Sequence, residues 1–119
     1  YSLMTSYSRA ERVGGLIQQA LSDILRKRIK DPRLEMTTIT HVKMTRDLRI
    51  ARIYYSTTGG QQKIAAAQQG FESAIGFVKR DLARQLGLRY MPAIEFYYDD
   101  SFDYGAHIDK LLKSIDTKT

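Results

Sequence analysis

At 119 residues with no cysteine, the chain has material for one domain and none for a disulfide framework. Its apolar residues, 43% of the total, can build one core, yet no apolar run approaches the roughly 20 residues of a membrane helix. Lys and Arg number 19 against 13 Asp and Glu, and the excess sits in residues 1–92, while residues 93–119 are net acidic, an uneven field that favours a polyanionic partner.

The first seven residues are polar and too short for the apolar stretch of a signal peptide. They and residues 116–119 are expected to be flexible ends of a single domain spanning 1–119. Ser8 followed by Glu11 forms a capping-box pattern. Beyond it Val13, Leu16, Ile17, Ala20, Leu21, Ile24 and Leu25 recur at helical spacing. That helix should end near Ile29–Lys30, because Asp31 precedes Pro32 and is pushed out of helical geometry.

Thr37–Thr45 and Leu48–Thr57 are rich in β-branched and aromatic residues and are separated by a short polar turn, which predicts an antiparallel hairpin. Alternation places Ala51, Ile53 and Tyr55 on one face and Arg52 and Tyr54 on the other. After Gly59-Gly60, the apolar residues Ile64, Ala67, Phe71, Ala74, Ile75, Val78, Leu82 and Leu86 return to helical spacing. Gly76 falls in the middle of that pattern, so the region reads as two helices or one kinked helix, closed by Gly87.

Pro92 introduces a third strand, Ile94–Asp99, with Ile94, Phe96 and Tyr98 on one face. A final helix from about Phe102 carries Ile108, Leu111, Leu112 and Ile115. The order is α-β-β-α-α-β-α. A strand, an intervening helical region and another strand favour a crossover with strand three parallel to strand two. The fold class is α+β, a three-stranded sheet with helices on one face.

The order α-β-β-α-α-β is similar to that of the type II K-homology fold. Ser8-Arg9-x-x-Arg12-Val13, Asp31-Pro32-Arg33, Ala51-x-x-Tyr54-Tyr55-Ser56 and Ala74-Ile75-Gly76 resemble the ribosome-binding factor A family, as do Pro92-x-Ile94-x-Phe96, Asp99-x-Ser101 and Gly105-x-x-Ile108-x-x-Leu111-Leu112. The resemblance runs from about Ser8 to Ile115. It implies a non-catalytic factor that binds the free small ribosomal subunit and its rRNA. It also implies a role in late rRNA maturation, including processing near the 5′ end, and in growth in the cold. Ribosomal proteins and other assembly factors are further partners on this reading, and the protein is expected to be a cytoplasmic monomer. K-homology modules clamp nucleotides with a G-x-x-G loop between two helices. Here that spacing is missing and Ala74-Ile75-Gly76 stands in its place, which favours this family over a generic single-stranded RNA binder, the alternative reading.

A break at Gly76 would give Lys79 and Arg80 a fresh helix N-terminus, where cations oppose the dipole and an anionic ligand would explain them. Arg84 and Arg89 extend that group. Arg9 and Arg12 repeat the logic at the first helix. Arg26, Lys27, Arg28 and Lys30 complement the dipole at its far end and read as structural. Lys43, Arg46, Arg49 and Arg52 surround the hairpin, where phosphate steering is the stronger expectation and base stacking on Tyr54 and Tyr97 the weaker. The RNA-binding candidates are therefore Arg9, Arg12, Lys43, Arg46, Arg49, Arg52, Ala74, Ile75, Gly76, Lys79, Arg80, Arg84 and Arg89.

Little points to catalysis. His41 and His107 lack cysteine or carboxylate partners at metal-ligand spacing. Asp99, Asp100 and Asp103 miss the calcium-loop pattern and suit a helix start instead. There is no phosphate-binding G-x-x-x-x-G-K-[ST] loop and no nucleophile elbow. No enzyme activity, cofactor or metal is expected, and no membrane association.

Overall fold

The computed structural model describes residues 9–103. Helix α1 spans Arg9–Lys27 and is followed by a 3-10 turn at Pro32–Leu34. Strands β1 (Thr37–Met44) and β2 (Ile50–Thr57) form the hairpin, helix α2 (Gln61–Leu86) crosses over, and β3 (Ala93–Tyr98) completes the sheet. A second 3-10 turn covers Asp100–Asp103. The capping residue Ser8 and the expected final helix lie outside the described residues, apart from the helix's first positions, where the 3-10 turn stands.

The sheet order is β1-β2-β3, antiparallel between the first two and parallel between the last two, as the crossover rule requires. Both helices pack against it, and the core is Ile17, Leu21, Ile24, Ile53, Tyr55, Phe71, Val78 and Leu82, with Ile94 and Phe96 beside them. Burying each such side chain contributes roughly 1.5–3 kcal/mol. Phe71 is stacked on Phe96 at 4.4 Å and tilted against Tyr55 at 4.8 Å. The buried Tyr55 hydroxyl donates to Gln68 Oε1 at 2.6 Å, and Gln68 Nε2 donates to the Phe96 carbonyl at 3.2 Å. The one polar group of this aromatic cluster is thereby satisfied. Burial, with the Glu72 carboxylate adding to it, raises the Tyr55 pKa.

Several expectations need correction. Helix α1 ends at Lys27, earlier than Ile29–Lys30. The amides of Arg28 and Ile29 both donate to the Ile24 carbonyl, which closes the helix before Asp31 adopts the extended geometry that Pro32 imposes. Leu16 leaves the apolar stripe and is 49% exposed, since it lies about 100° round the helix from the fully buried Ile17.

The larger correction concerns the second helical region. It is one unbroken helix of 26 residues, not a helix pair. Gly76 costs about 1 kcal/mol relative to alanine. Phe71 on one side and Val78 and Leu82 on the other are fully buried in the same core, and their burial outweighs that cost. Gly87 ends the helix in the left-handed region, φ 59 and ψ 36, with its amide donating to Ala83 O.

Strand β1 carries a bulge. Ile39 faces Tyr55 and His41 faces Tyr54, which leaves Thr40 as the extra residue. Its hydroxyl donates to Asp99 Oδ2 at 2.6 Å, and Ser101 donates to Asp99 Oδ1 from both its amide and its hydroxyl. These bonds, first that from the Ser101 side chain and then that from Thr40, hold the Asp99 carboxyl below its ordinary pKa. The Asp99-x-Ser101 string is thus a clamp between the bulge and the end of β3.

Candidate nucleic-acid interface

Three segments distant in sequence meet at one end of the sheet: the start of α1, the β1–β2 turn and the α2–β3 connection. Together they enclose a groove of about 650 Å³. Arg9, Arg49 and Arg89 line it, one from each segment, over an apolar floor that includes Val13, Met44, Leu48 and Pro92. The turn is built by Thr45 and Asp47. Leu48 N donates to Thr45 O at 2.9 Å, Ile50 N donates to Thr45 Oγ1 at 3.1 Å, and Asp47 Oδ1 accepts from the Thr45 hydroxyl and the Arg49 amide. Those bonds lower the Asp47 pKa, the Thr45 hydroxyl being the largest cause.

Leu48 adopts φ 61, a left-handed conformation unusual for a bulky residue, and packs partly against the core. The Arg49 carbonyl accepts from the Ala93 amide at 2.8 Å, which ties the turn to the start of β3. Gly87 reverses the chain so that Arg89 and Tyr90 follow at the groove. The Arg89 guanidinium lies 5.6 Å from the Tyr90 ring centre. Among the described residues the only carboxylate lining the groove is Asp47, 3.9 Å from Arg49 at an exposed position, so positive charge dominates.

The sheet face that the two described helices leave uncovered carries a second grouping. His41, Tyr54 and Tyr97 are cross-strand partners, one per strand, with ring centres 6.3 and 5.7 Å apart. The adjacent row is Lys43, Arg52 and Glu95. Arg52 Nε lies 3.7 Å from Glu95, and the Tyr97 hydroxyl donates to Glu95 at 2.7 Å, a bond that raises its pKa. Of the candidates on this face, Lys43 forms no ion pair among the described residues, while Arg52 is engaged.

Helix α2 carries the remaining candidates. Ala74 and Ile75 are half-buried against the core, and Gly76 is exposed. Lys79 is half-buried and Arg80 exposed, both within a continuous helix, so the dipole argument for them falls away. Arg84 is tied to Asp81, a carboxylate only 3% exposed that also takes Arg28 Nε at 3.2 Å and Gln85 Nε2 at 3.2 Å. Arg28 further lies 5.6 Å from the Phe77 ring centre. This cluster joins the end of α1 to α2, and Arg84 has a structural task within it. Arg12 and Arg46 are exposed, at α1 and at the hairpin turn.

Sequence reasoning overlooked Asp81 and Tyr90. In the sequence Asp81 is one acidic residue among the cations Lys79, Arg80 and Arg84, and only its burial distinguishes it. Tyr90 had a local signal: an aromatic beside an arginine between Gly87 and Pro92.

A family model described as ribosome-binding factor A matches residues 9–112. The chain belongs to the ribosome-binding factor A family. A ribosome-binding factor A from Desulfatibacillum aliphaticivorans is 54% identical over 94% of this chain and 91% of its own length. One from Geobacter sulfurreducens is 41% identical over 94% and 95%. Among solved structures, the solution NMR structure of a Thermotoga maritima relative superposes with a TM-score of 0.71 at 29% identity, covering 80% of this chain and 91% of that one. A Thermus thermophilus ribosome binding factor A homology model, fitted into a cryo-EM map of a 30S complex, has a TM-score of 0.62 at 22% identity, covering 73% and 91%. The latter likeness extends to the fold. Among the described residues no helix is long and apolar enough to cross a membrane, and no group of three potential metal ligands is found.

Proposed function

We propose that the chain is an assembly factor that binds the free small ribosomal subunit through rRNA phosphates and assists late maturation of that rRNA, including processing near its 5′ end. The observation that carries the reading is the convergence of Arg9, Arg49 and Arg89 on one groove. Guanidinium groups suit phosphate oxygens because they donate paired, charge-assisted hydrogen bonds. Arg12, Lys43, Arg46, Lys79 and Arg80 extend the positive surface, and none forms an ion pair among the described residues. Ala74-Ile75-Gly76 would contribute backbone shape on α2. The relative fitted into a 30S complex supports the choice of the small subunit as partner.

Mechanistically, the factor works by binding energy. It stabilises one rRNA arrangement over another, and the shift is limited by its differential affinity for the two. Bond chemistry, a cofactor and a membrane have no part in this reading. The protein acts as a cytoplasmic monomer, with ribosomal proteins and other assembly factors as neighbours on the subunit. A generic binder of single-stranded RNA is the second reading. The unbroken α2 argues against it, since a nucleotide clamp of the K-homology kind needs a loop between two helices.

Sedimentation with purified free small subunits across a salt series tests the proposal. Co-migration should weaken linearly in log affinity against log salt. Arg49→Glu with Arg89→Glu should abolish it at salt concentrations where the parent still binds. Salt-independent binding, or full binding by the double variant, refutes the proposal.

A further inference from the structure

We propose that the groove between α1, the β1–β2 turn and the α2–β3 connection takes a single unpaired nucleotide of RNA, its phosphate on Arg9 and Arg49 and its base on Tyr90. The inference rests on the reading that the chain binds rRNA and adds how the RNA is gripped.

Phosphate binding alone accounts for the arginines but not for the rest of the groove. A duplex presents phosphate and sugar outward. Against such a surface the apolar floor of Val13, Met44, Leu48 and Pro92 would stay uncovered. An unstacked base is a flat, largely apolar plate that covers such a floor. A volume of about 650 Å³ lies within the roughly 300–1,000 Å³ of small-ligand sites and suits one nucleotide better than a strand.

Tyr90 supplies the platform. At 78% exposure it is the most exposed large apolar side chain among the described residues, so the core gains little from it. Arg89 covers one face of its ring at 5.6 Å. The other face is left for a base, giving a stack of guanidinium, phenol ring and base.

The turn geometry adds a separate reason. Leu48 sits at φ 61, where glycine or asparagine would be unstrained. A leucine there places an apolar side chain in the groove beside Arg49 at the expense of backbone comfort. Strain kept at a position that lines a cavity fits a binding role for that cavity.

The test compares two RNA hairpins of one stem sequence, one fully paired and one with a single bulged 2-aminopurine, titrated with the full chain. The parent should bind the bulged hairpin at least about fivefold more tightly and quench its fluorescence, in line with a stacking contribution of roughly 5- to 150-fold. Tyr90→Ala should remove the quenching and the preference for the bulged hairpin. Tyr90→Phe should keep both. Because Tyr90 is exposed, melting curves of the variants should match the parent. Equal binding of the two hairpins by the parent, or a preference that survives Tyr90→Ala, overturns the nucleotide pocket. In that event loss of subunit binding by the Arg49→Glu, Arg89→Glu variant would leave the rRNA reading standing. Retention of subunit binding by that variant would remove both.

Discussion

Removing both arginines that face Asp81 should destabilise the fold more than removing the carboxylate they share. Asp81 is 3% exposed, whereas the Arg28 and Arg84 side chains are 47% and 63% exposed. Asp81→Asn keeps the volume and one acceptor and returns the two guanidinium groups to water. The loss is of charge-assisted hydrogen bonds, about 1–2 kcal/mol, at the low end because both partners are half in solvent. Arg28→Ala with Arg84→Ala instead leaves a buried carboxylate whose remaining neighbour is Gln85 Nε2 at 3.2 Å. An uncompensated buried charge costs roughly 3–5 kcal/mol, and water entering beside the truncated side chains should bring this to about 3. Each single arginine variant keeps one counter-charge and should lose only about 1 kcal/mol, so the second removal costs more than the first. Lost contact with Phe77 adds a few tenths to the Arg28 variant. At about 4 °C per kcal/mol, thermal melts should show Asp81→Asn down by about 4–8 °C and the double variant by about 12 °C. An Asp81→Asn protein that melts below the double arginine variant would refute this account of the cluster. Subunit binding by Arg84→Ala, measured below its melting point, should be close to that of the parent.

The two helical glycines of α2 should respond oppositely to alanine. A Cβ on Gly76 meets only Arg80 Nη1 at 3.6 Å, so Gly76→Ala should stabilise by about 0.5–1 kcal/mol in urea unfolding. A drop in stability there would mean that the helix needs its glycine after all. A Cβ on Gly70 would come within 3.0 Å of Leu34 Cγ, so Gly70→Ala should destabilise by about 1–3 kcal/mol, and a gain would contradict this packing. The clamp at Asp99 should show in acid. Its folded pKa lies below the ordinary 3.8, so its stabilisation is present above that value and lost as pH falls through it towards the folded pKa. The parent should therefore lose more stability than Asp99→Asn below about pH 4, and parallel acid limbs would count against the clamp.

Much of the fold is legible in local patterns. The stripe from Ile17 to Leu25 announces α1, the alternation of Ala51, Ile53 and Tyr55 fixes the inner face of β2, and Gly87 marks the end of α2. Each rests on a short period or a single residue's steric preference. The expected break at Gly76 failed because local propensity is worth about 1 kcal/mol while the apolar contacts flanking it are worth several. Where the candidate cations come to lie was less legible for a related reason. Charge is visible in sequence but its partners are not: Arg84 and Arg89 look alike until one is found on buried Asp81 and the other beside Tyr90 at the groove.

The sequence alone determined an uneven basic excess, which favours a polyanionic partner, and the order of a helix, a hairpin, a helical region and a third strand, through hydrophobic period. Tertiary structure alone decided which cations share a site. Arg9, Arg49 and Arg89 are 40 positions apart in each step and meet because the hairpin, the parallel crossover and the Gly87 reversal return the chain to one end of the sheet. It also decided the outer face of β1. Simple alternation from the buried Ile39 would send His41 and Lys43 into the core. The extra residue at Thr40 shifts the phase, so Val42 and Met44 point inward and the two polar side chains reach solvent. A bulge held by a carboxylate 59 residues away has no local signature.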